Sequence, residues 1–157
     1  MDNNSDFLLT SLVNMADGGA PTPDITLIVE GQVIGGRLIP VTEWFSLQAD
    51  RVRGATTVYH SDTSEETGEE LVQLMAKLFD GCGEIAERQL EERRQKRDDV
   101  DPEDPKDVAD LPQTKYLHLA NAHIMGIGSW DGNLDDGLLL RIKCADVSGW
   151  TVGKFRA

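Results

Sequence analysis

The stretch Asp24–Val41, DITLIVEGQVIGGRLIPV, decides the fold. Ile25, Leu27 and Val29 alternate with Thr26, Ile28 and Glu30, the two-residue period of a strand with one buried face. Gly31-Gln32 follows, and a glycine at the first central position suits the mirror-image turn that joins two twisted strands. The return strand, Val33–Val41, carries Gly35-Gly36 in its middle. Two adjacent glycines weaken a flat strand but permit a bend or bulge, which predicts a small sheet curled toward a barrel.

Upstream, Ser5 is placed to cap a short helix, with Phe7, Leu8, Ser11, Leu12 and Met15 as its apolar stripe. Gly18-Gly19 ends it, Pro21 and Pro23 lead stiffly to the first strand, and the helix is expected to close one end of the barrel. Downstream, Thr42–Val52 predicts one or two helical turns, with Trp44, Phe45 and Leu47 closing over the core. A polar loop then surrounds a possible short strand at Thr57–His60. Glu65–Arg97 is the longest helical pattern, with Leu71, Leu74, Met75, Leu78, Cys82, Ile85 and Leu90 spaced by three and four. Gly81 and Gly83 are candidate kinks within it. Asp98–Asp110 is acidic and proline-bearing and reads as a linker.

Strand patterns resume at Tyr116–Met125 and Leu138–Cys144, and Trp150, Val152 and Phe155 fit a last short strand. Gly126–Gly137 is a turn-rich loop, and Ala145–Gly149 a tight connection. The expected fold is mainly β with helical additions (α+β): a small five-stranded SH3-like or Sm-like barrel. It has an N-terminal helix and a long helical insertion between strands two and three. The chain reads as a single domain, 1–157, with its barrel core over about 5–53 and 114–157 and its charged insertion over about 54–113.

Charge narrows the classes of function. The chain has 28 acidic and 15 basic residues, a net charge of −13. Residues 61–110 hold 17 of the acids and 7 of the bases, so −10 of that charge belongs to the insertion. Such a balance repels phosphate backbones and anionic lipid, and neither nucleic acid nor membrane is expected as a partner. Hydrophobic residues make up 39% of the chain, low enough that part of it is expected to stay solvated. The start MDNNSD has no signal-peptide pattern, and no run of apolar residues is long enough to span a bilayer, so a cytoplasmic location is expected. Cys82 and Cys144 lie outside any metal or redox spacing and fit reduced thiols.

The residues offer little chemistry. Asp131, Asn133, Asp135 and Asp136 start like a calcium loop, but Asp136 stands where the loop needs glycine and Ile142 where it needs glutamate. His118 and His123, five apart on a strand, point to opposite faces and cannot share a metal. His60 is isolated, and Gly126-Ile127-Gly128-Ser129 makes neither a nucleophile elbow nor a phosphate loop. No enzyme, metal or cofactor is expected.

The order of segments resembles the gas vesicle accessory proteins of the U type. Ile25, Thr26, Leu27, Val29, Gly31, Ile34, Gly36, Leu38 and Ile39 follow that family's strand pair. Trp44 and Phe45 stand at its aromatic pair, Leu117–Ala120 at its next strand, and Leu140–Lys143 with Ala145–Trp150 and Gly153 along its final segment. The resemblance implies a non-catalytic accessory protein of gas vesicles, cytoplasmic, with vesicle shell or other accessory proteins as partners and a possible homo-oligomer. It would act in vesicle assembly or clustering through protein–protein contacts. Apolar surface near Trp44, Phe45 and Trp130 is the expected docking site. Tyr116–Ile124 also resembles a strand of Sm-like RNA-binding ring subunits, although the turn Cys144–Ser148 lacks their Arg-Gly pair. That alternative and a peptide-binding adaptor barrel stay open at this point.

Overall fold

The computed structural model describes residues 6–54, 65–98, 114–125 and 137–153. Residues expected to form the Thr57–His60 strand, most of the acidic linker, and the loop holding Trp130, Asp131, Asn133, Asp135 and Asp136 lie outside them, as do Ser5, His60 and Phe155. The elements run α1 (Phe7–Asp17), β1 (Asp24–Val29), β2 (Gln32–Ile39), α2 (Val41–Gly54), α3 (Glu65–Asp98), β3 (Tyr116–Ile124), β4 (Leu138–Lys143), a 3-10 turn (Cys144–Asp146) and β5 (Val147–Val152). The chain divides into two compact units, Met1–Val41 with Asp101–Ala157, and Thr42–Val100.

The first unit is built on one antiparallel five-stranded sheet in the order β4-β3-β2-β1-β5. Its central hairpin is the one read from the sequence, with a different turn. Val29 pairs with Gln32, so the two loop residues are Glu30 and Gly31 rather than Gly31 and Gln32. Both have positive φ, 49° and 80°, the signature of the turn that needs left-handed geometry at both central positions. Glycine adopts that geometry freely and Glu30 does not.

The sheet is open, and the closed SH3-like or Sm-like barrel expected from the sequence is not formed: the ladder ends at β4 on one side and β5 on the other. It is nonetheless strongly bent. Opposite edges of a flat five-stranded sheet lie about 19 Å apart at about 4.8 Å per strand. Only the three residues Cys144–Asp146 carry the chain from one edge to the other. A 3-10 turn rises about 2 Å per residue, so this connection is possible only where the sheet curls and brings its edges together.

Bulges supply the curl. The β2–β3 register shifts between Gly35 and Arg37, so the ladder is irregular at the glycine pair as expected, with the extra residue carried by β3 opposite Gly36. A Cβ on Gly36 would lie 3.1 Å from Ala122 Cα and 3.2 Å from the Ala120 carbonyl oxygen, so the neighbouring strand presses directly on its backbone. The β3–β4 register shifts between Leu119 and Ala122, where Asn121 takes a φ of 50°. Opposite it, Gly137 has a φ of 67°, and a Cβ there would lie 2.7 Å from the Asn121 carbonyl carbon. The β1–β5 register shifts where Ile28 pairs with Gly149 and Val29 with Val147. Ser148 is the extra residue, and its hydroxyl donates to the Ile28 carbonyl at 3.0 Å. Only the ladder that the hairpin turn locks is regular.

The core of this unit joins Leu9, Val13 and Ala16 of α1 to Ile25, Leu27, Ile34, Leu38, Leu117, Leu119, Ala122 and Cys144. Asp6, rather than Ser5, caps α1; its carboxylate accepts from the backbone N–H groups of Leu8 at 2.8 Å and Leu9 at 3.2 Å. The capping carboxylate also accepts from the Trp150 indole N–H at 3.0 Å, which fixes the start of the helix to β5. At the other end Gly19, φ 82°, reverses the chain, and its N–H donates to the Ala16 carbonyl at 2.9 Å. Buried Asp17 accepts from the Val41 N–H at 3.0 Å and pins the end of α1 beside the end of β2.

In the second unit, α2 spans 14 residues, longer than the one or two turns expected. No glycine or proline interrupts Val41–Arg53, and Arg51 and Arg53 in its last turn complement the helix dipole. α3 runs unbroken for 34 residues, so Gly81 and Gly83 do not split it. Gly83 has a packing role, since a Cβ there would sit 3.4 Å from Phe45 Cβ. Arg53 binds Asp50 at 3.0 Å and also Asp80. All three side chains are well exposed, so these pairs contribute little.

Two substitutions test the backbone reading by urea denaturation. Gly137→Ala is expected to cost about 2–4 kcal/mol, because it adds both left-handed strain and a backbone overlap at the β3–β4 bulge. Glu30→Asn is expected to gain about 0.5–1 kcal/mol, because asparagine tolerates the first position of this turn. Equal midpoints for the wild-type chain and Gly137→Ala would show the bulge to be slack.

Candidate functional site

The residues singled out from the sequence are placed as follows. Trp44 and Phe45 stack edge-to-face on α2, ring centroids 5.2 Å apart and planes at 81°. Trp44 is buried and Phe45 half-buried. Trp130 lies outside the described residues.

The apolar surface lies elsewhere, on two helix faces that sequence periodicity assigned to packing. On α1 the expected stripe is largely solvent-facing: Phe7 is 80% exposed, Leu8 62% and Met15 53%. The buried face is the neighbouring one, Leu9, Val13 and Ala16. The same inversion occurs on α3. Of the seven residues that signalled the helix, Leu71, Leu74, Met75, Leu78 and Ile85 are exposed, while Cys82 and Leu90 are half-buried. A second series, Val72, Ala76, Phe79, Gly83, Ala86 and Leu90, repeats every three or four residues and is the covered one. Both series have helical period, and the covered one escapes notice because alanine and glycine dilute it.

The polar groups with shifted acidities are structural in character. His118 on β3 is buried while His123 is exposed, but the two lie on one face of the sheet rather than on the opposite faces expected, because an extra residue between them in β3 reverses the alternation. Burial, and secondarily the Arg141 guanidinium, push the His118 imidazole down to about 4. Arg141 stands opposite His118 in the β3–β4 register and lies over the Tyr116 ring, 4.1 Å from its centroid. Cys144 is buried and its thiol is pushed up to about 11, chiefly by desolvation, so thiolate chemistry at neutral pH is suppressed. The Trp150 indole and the first backbone N–H groups of α1 hold the Asp6 carboxyl below the usual range. Among the described residues no three His, Cys, Asp or Glu groups are gathered as a metal would need. None of the described helices is long and apolar enough to cross a membrane.

What this arrangement offers is contact surface: an acidic chain with two helices presenting apolar residues to solvent. Residues 6–155 match the model of a family described as gas vesicle protein GvpU-like, nearly the whole chain, and the protein belongs to that family. No curated protein and no solved structure matches it. The residues that carried the resemblance now have physical roles. Ile25, Leu27, Ile34 and Leu38 are core, Gly31 is in the turn and Gly36 in the bulge. Gly153, φ 106°, closes β5 onto β1, its N–H donating to the Asp24 carbonyl at 2.7 Å. The Thr26 hydroxyl donates to its carbonyl, also at 2.7 Å.

His118 makes stability depend on pH. Its folded-state pKa is depressed below the unfolded value of 6.5, so its contribution is whole above pH 6.5 and is lost as pH falls toward 4. The loss expected from this residue is about 2–3 kcal/mol. Urea midpoints measured from pH 7 to pH 4 should fall more steeply in the wild-type chain than in His118→Gln. Parallel pH profiles would contradict the assignment.

Proposed function

We propose that this protein is a non-enzymatic accessory protein of gas vesicles, acting in vesicle assembly or clustering through protein–protein contacts. The family match across residues 6–155 carries the proposal. The exposed apolar faces of α1 and α3 support its contact-based part, for such faces mark interaction surfaces when several large side chains adjoin. The wider surface near Phe45 belongs to the same proposal, with buried Trp44 as its support.

Charge then regulates approach. Ten of the thirteen excess negative charges lie in residues 61–110. At physiological ionic strength fields decay over about 8 Å, while a helix of this length extends about 50 Å. Repulsion from the segment therefore acts only when two decorated surfaces nearly touch. The balance between that short-range repulsion and apolar contact sets whether vesicles adhere or stay apart.

Flotation tests the proposal. Mixed with intact gas vesicles and centrifuged, the chain should rise with the buoyant layer. A chain lacking residues 65–110 should change vesicle clustering under the microscope, with the largest effect at low salt. Protein remaining in the infranatant, together with clustering indifferent to the deletion at every ionic strength, would remove the basis for this function. Retention of mixed RNA on filters at low salt would instead favour the Sm-like alternative.

A further inference from the structure

The uncovered stripe of α3 has a pattern that points to its occupant. Leu71, Leu74, Leu78, Gly81 and Ile85 fall at alternating intervals of three and four, the spacing of a two-helix seam, with Met75 and Cys82 flanking it. Four of the large residues are more than half exposed: Leu71 54%, Leu74 66%, Leu78 65% and Ile85 52%. At Gly81 a Cβ would meet nothing within 4 Å, so the helix has a gap in the middle of its outer stripe.

Charge is distributed along the same helix with opposite signs at its two ends. Positions 65–70 hold four glutamates and no base, whereas positions 93–97 hold Arg93, Arg94, Lys96 and Arg97 and no acid. Two such helices side by side in parallel would set four glutamates against four glutamates and four cations against four cations. Turned antiparallel, the glutamate-bearing first turns of one copy come against the arginines at 93 and 94 of the other instead.

From this self-complementarity we propose that α3 is an interface between two copies of this chain, paired antiparallel about a two-fold axis between residues 79 and 80. In that register each residue faces the one whose number completes 159. Leu74 packs on Ile85 of the second copy, and Leu78 fills the gap at Gly81 of the second copy; by symmetry each contact occurs twice. In the first turns, positions 65 and 66 face Arg94 and Arg93 of the second copy, while Glu91 and Glu92 of that copy come opposite the uncharged Thr67 and Gly68. The covered series at Val72, Ala76, Phe79, Gly83, Ala86 and Leu90 lies on another face and remains as it is. The pairing concerns the second unit alone and holds whether or not the chain acts on vesicles.

Sedimentation equilibrium on the full chain tests it. The wild-type protein is expected to be a dimer at tens of micromolar. Leu74→Asp with Leu78→Asp, both at exposed positions, should leave the circular dichroism spectrum unchanged and weaken association by at least about a hundredfold. Orientation is read by spin labels at Glu69→Cys in a Cys82→Ser background, Cys144 being buried. Residue 69 faces residue 90 of the second copy, so the two labels should lie about 30 Å apart, against about 10 Å in a parallel pair. A monomer at hundreds of micromolar, a dimer untouched by the double substitution, a label separation near 10 Å, or capture of the stripe only by vesicle shells would each overturn the proposal.

Discussion

A three-residue connection between opposite edges of a five-stranded sheet constrains everything in the first unit. Cys144–Asp146 has to bridge from β4 to β5, and a flat sheet would put those strands out of its reach. The strands must therefore bend, and bending an antiparallel ladder means inserting extra residues into it. Asn121 of β3 is the extra residue for the ladders to β2 and β4, and Ser148 of β5 is that residue for the ladder to β1, while the tight hairpin has none. Glycine at 36 and 137 allows the bent strands to close to backbone contact. One face of α1, Leu9, Val13 and Ala16, completes the core against this sheet.

The same constraint explains the polar ties around α1. A helix seated on a curved sheet is held at both ends, by Asp6 to the Trp150 indole on the edge strand and by Asp17 to the Val41 N–H after the second strand. The Cys144 side chain at the start of the connection is sealed into that core, which accounts for its suppressed acidity. His118, on the other side of β3 from Leu117 and Leu119, is buried as well, so this strand is covered on both faces.

Function is less constrained by this core than by what the helices leave outside. A packed core needs one face of α1, and the described burial of α3 likewise follows one series of residues. The residues beyond those faces are nevertheless large and apolar. Retaining them in solvent costs about 1–3 kcal/mol apiece relative to burial. That is a reason to look to these faces, beside the surface near the aromatic pair at 44 and 45, for what the protein touches.

Local chemistry sufficed for much of this. The alternation of Ile25, Leu27 and Val29, the glycine pair at 35–36, and the patterns at 116–125, 138–144 and Trp150–Val152 determine five strands, a hairpin and a bulge, because strand period and glycine's backbone freedom are properties of short segments. The family was legible for the same reason, since its pattern residues are those turn, bulge and core positions. Three things required the tertiary structure. Whether the curled sheet closes depends on long-range pairing, and it remains open. The turn type depends on register, which shifted its centre to Glu30-Gly31. Which face of a helix is buried depends on what lies beside it, and periodicity measures only spacing. On α1 the large residues at 7, 8 and 15 gave the stronger signal, yet the face with Leu9, Val13 and the small Ala16 is the one that fits against the sheet.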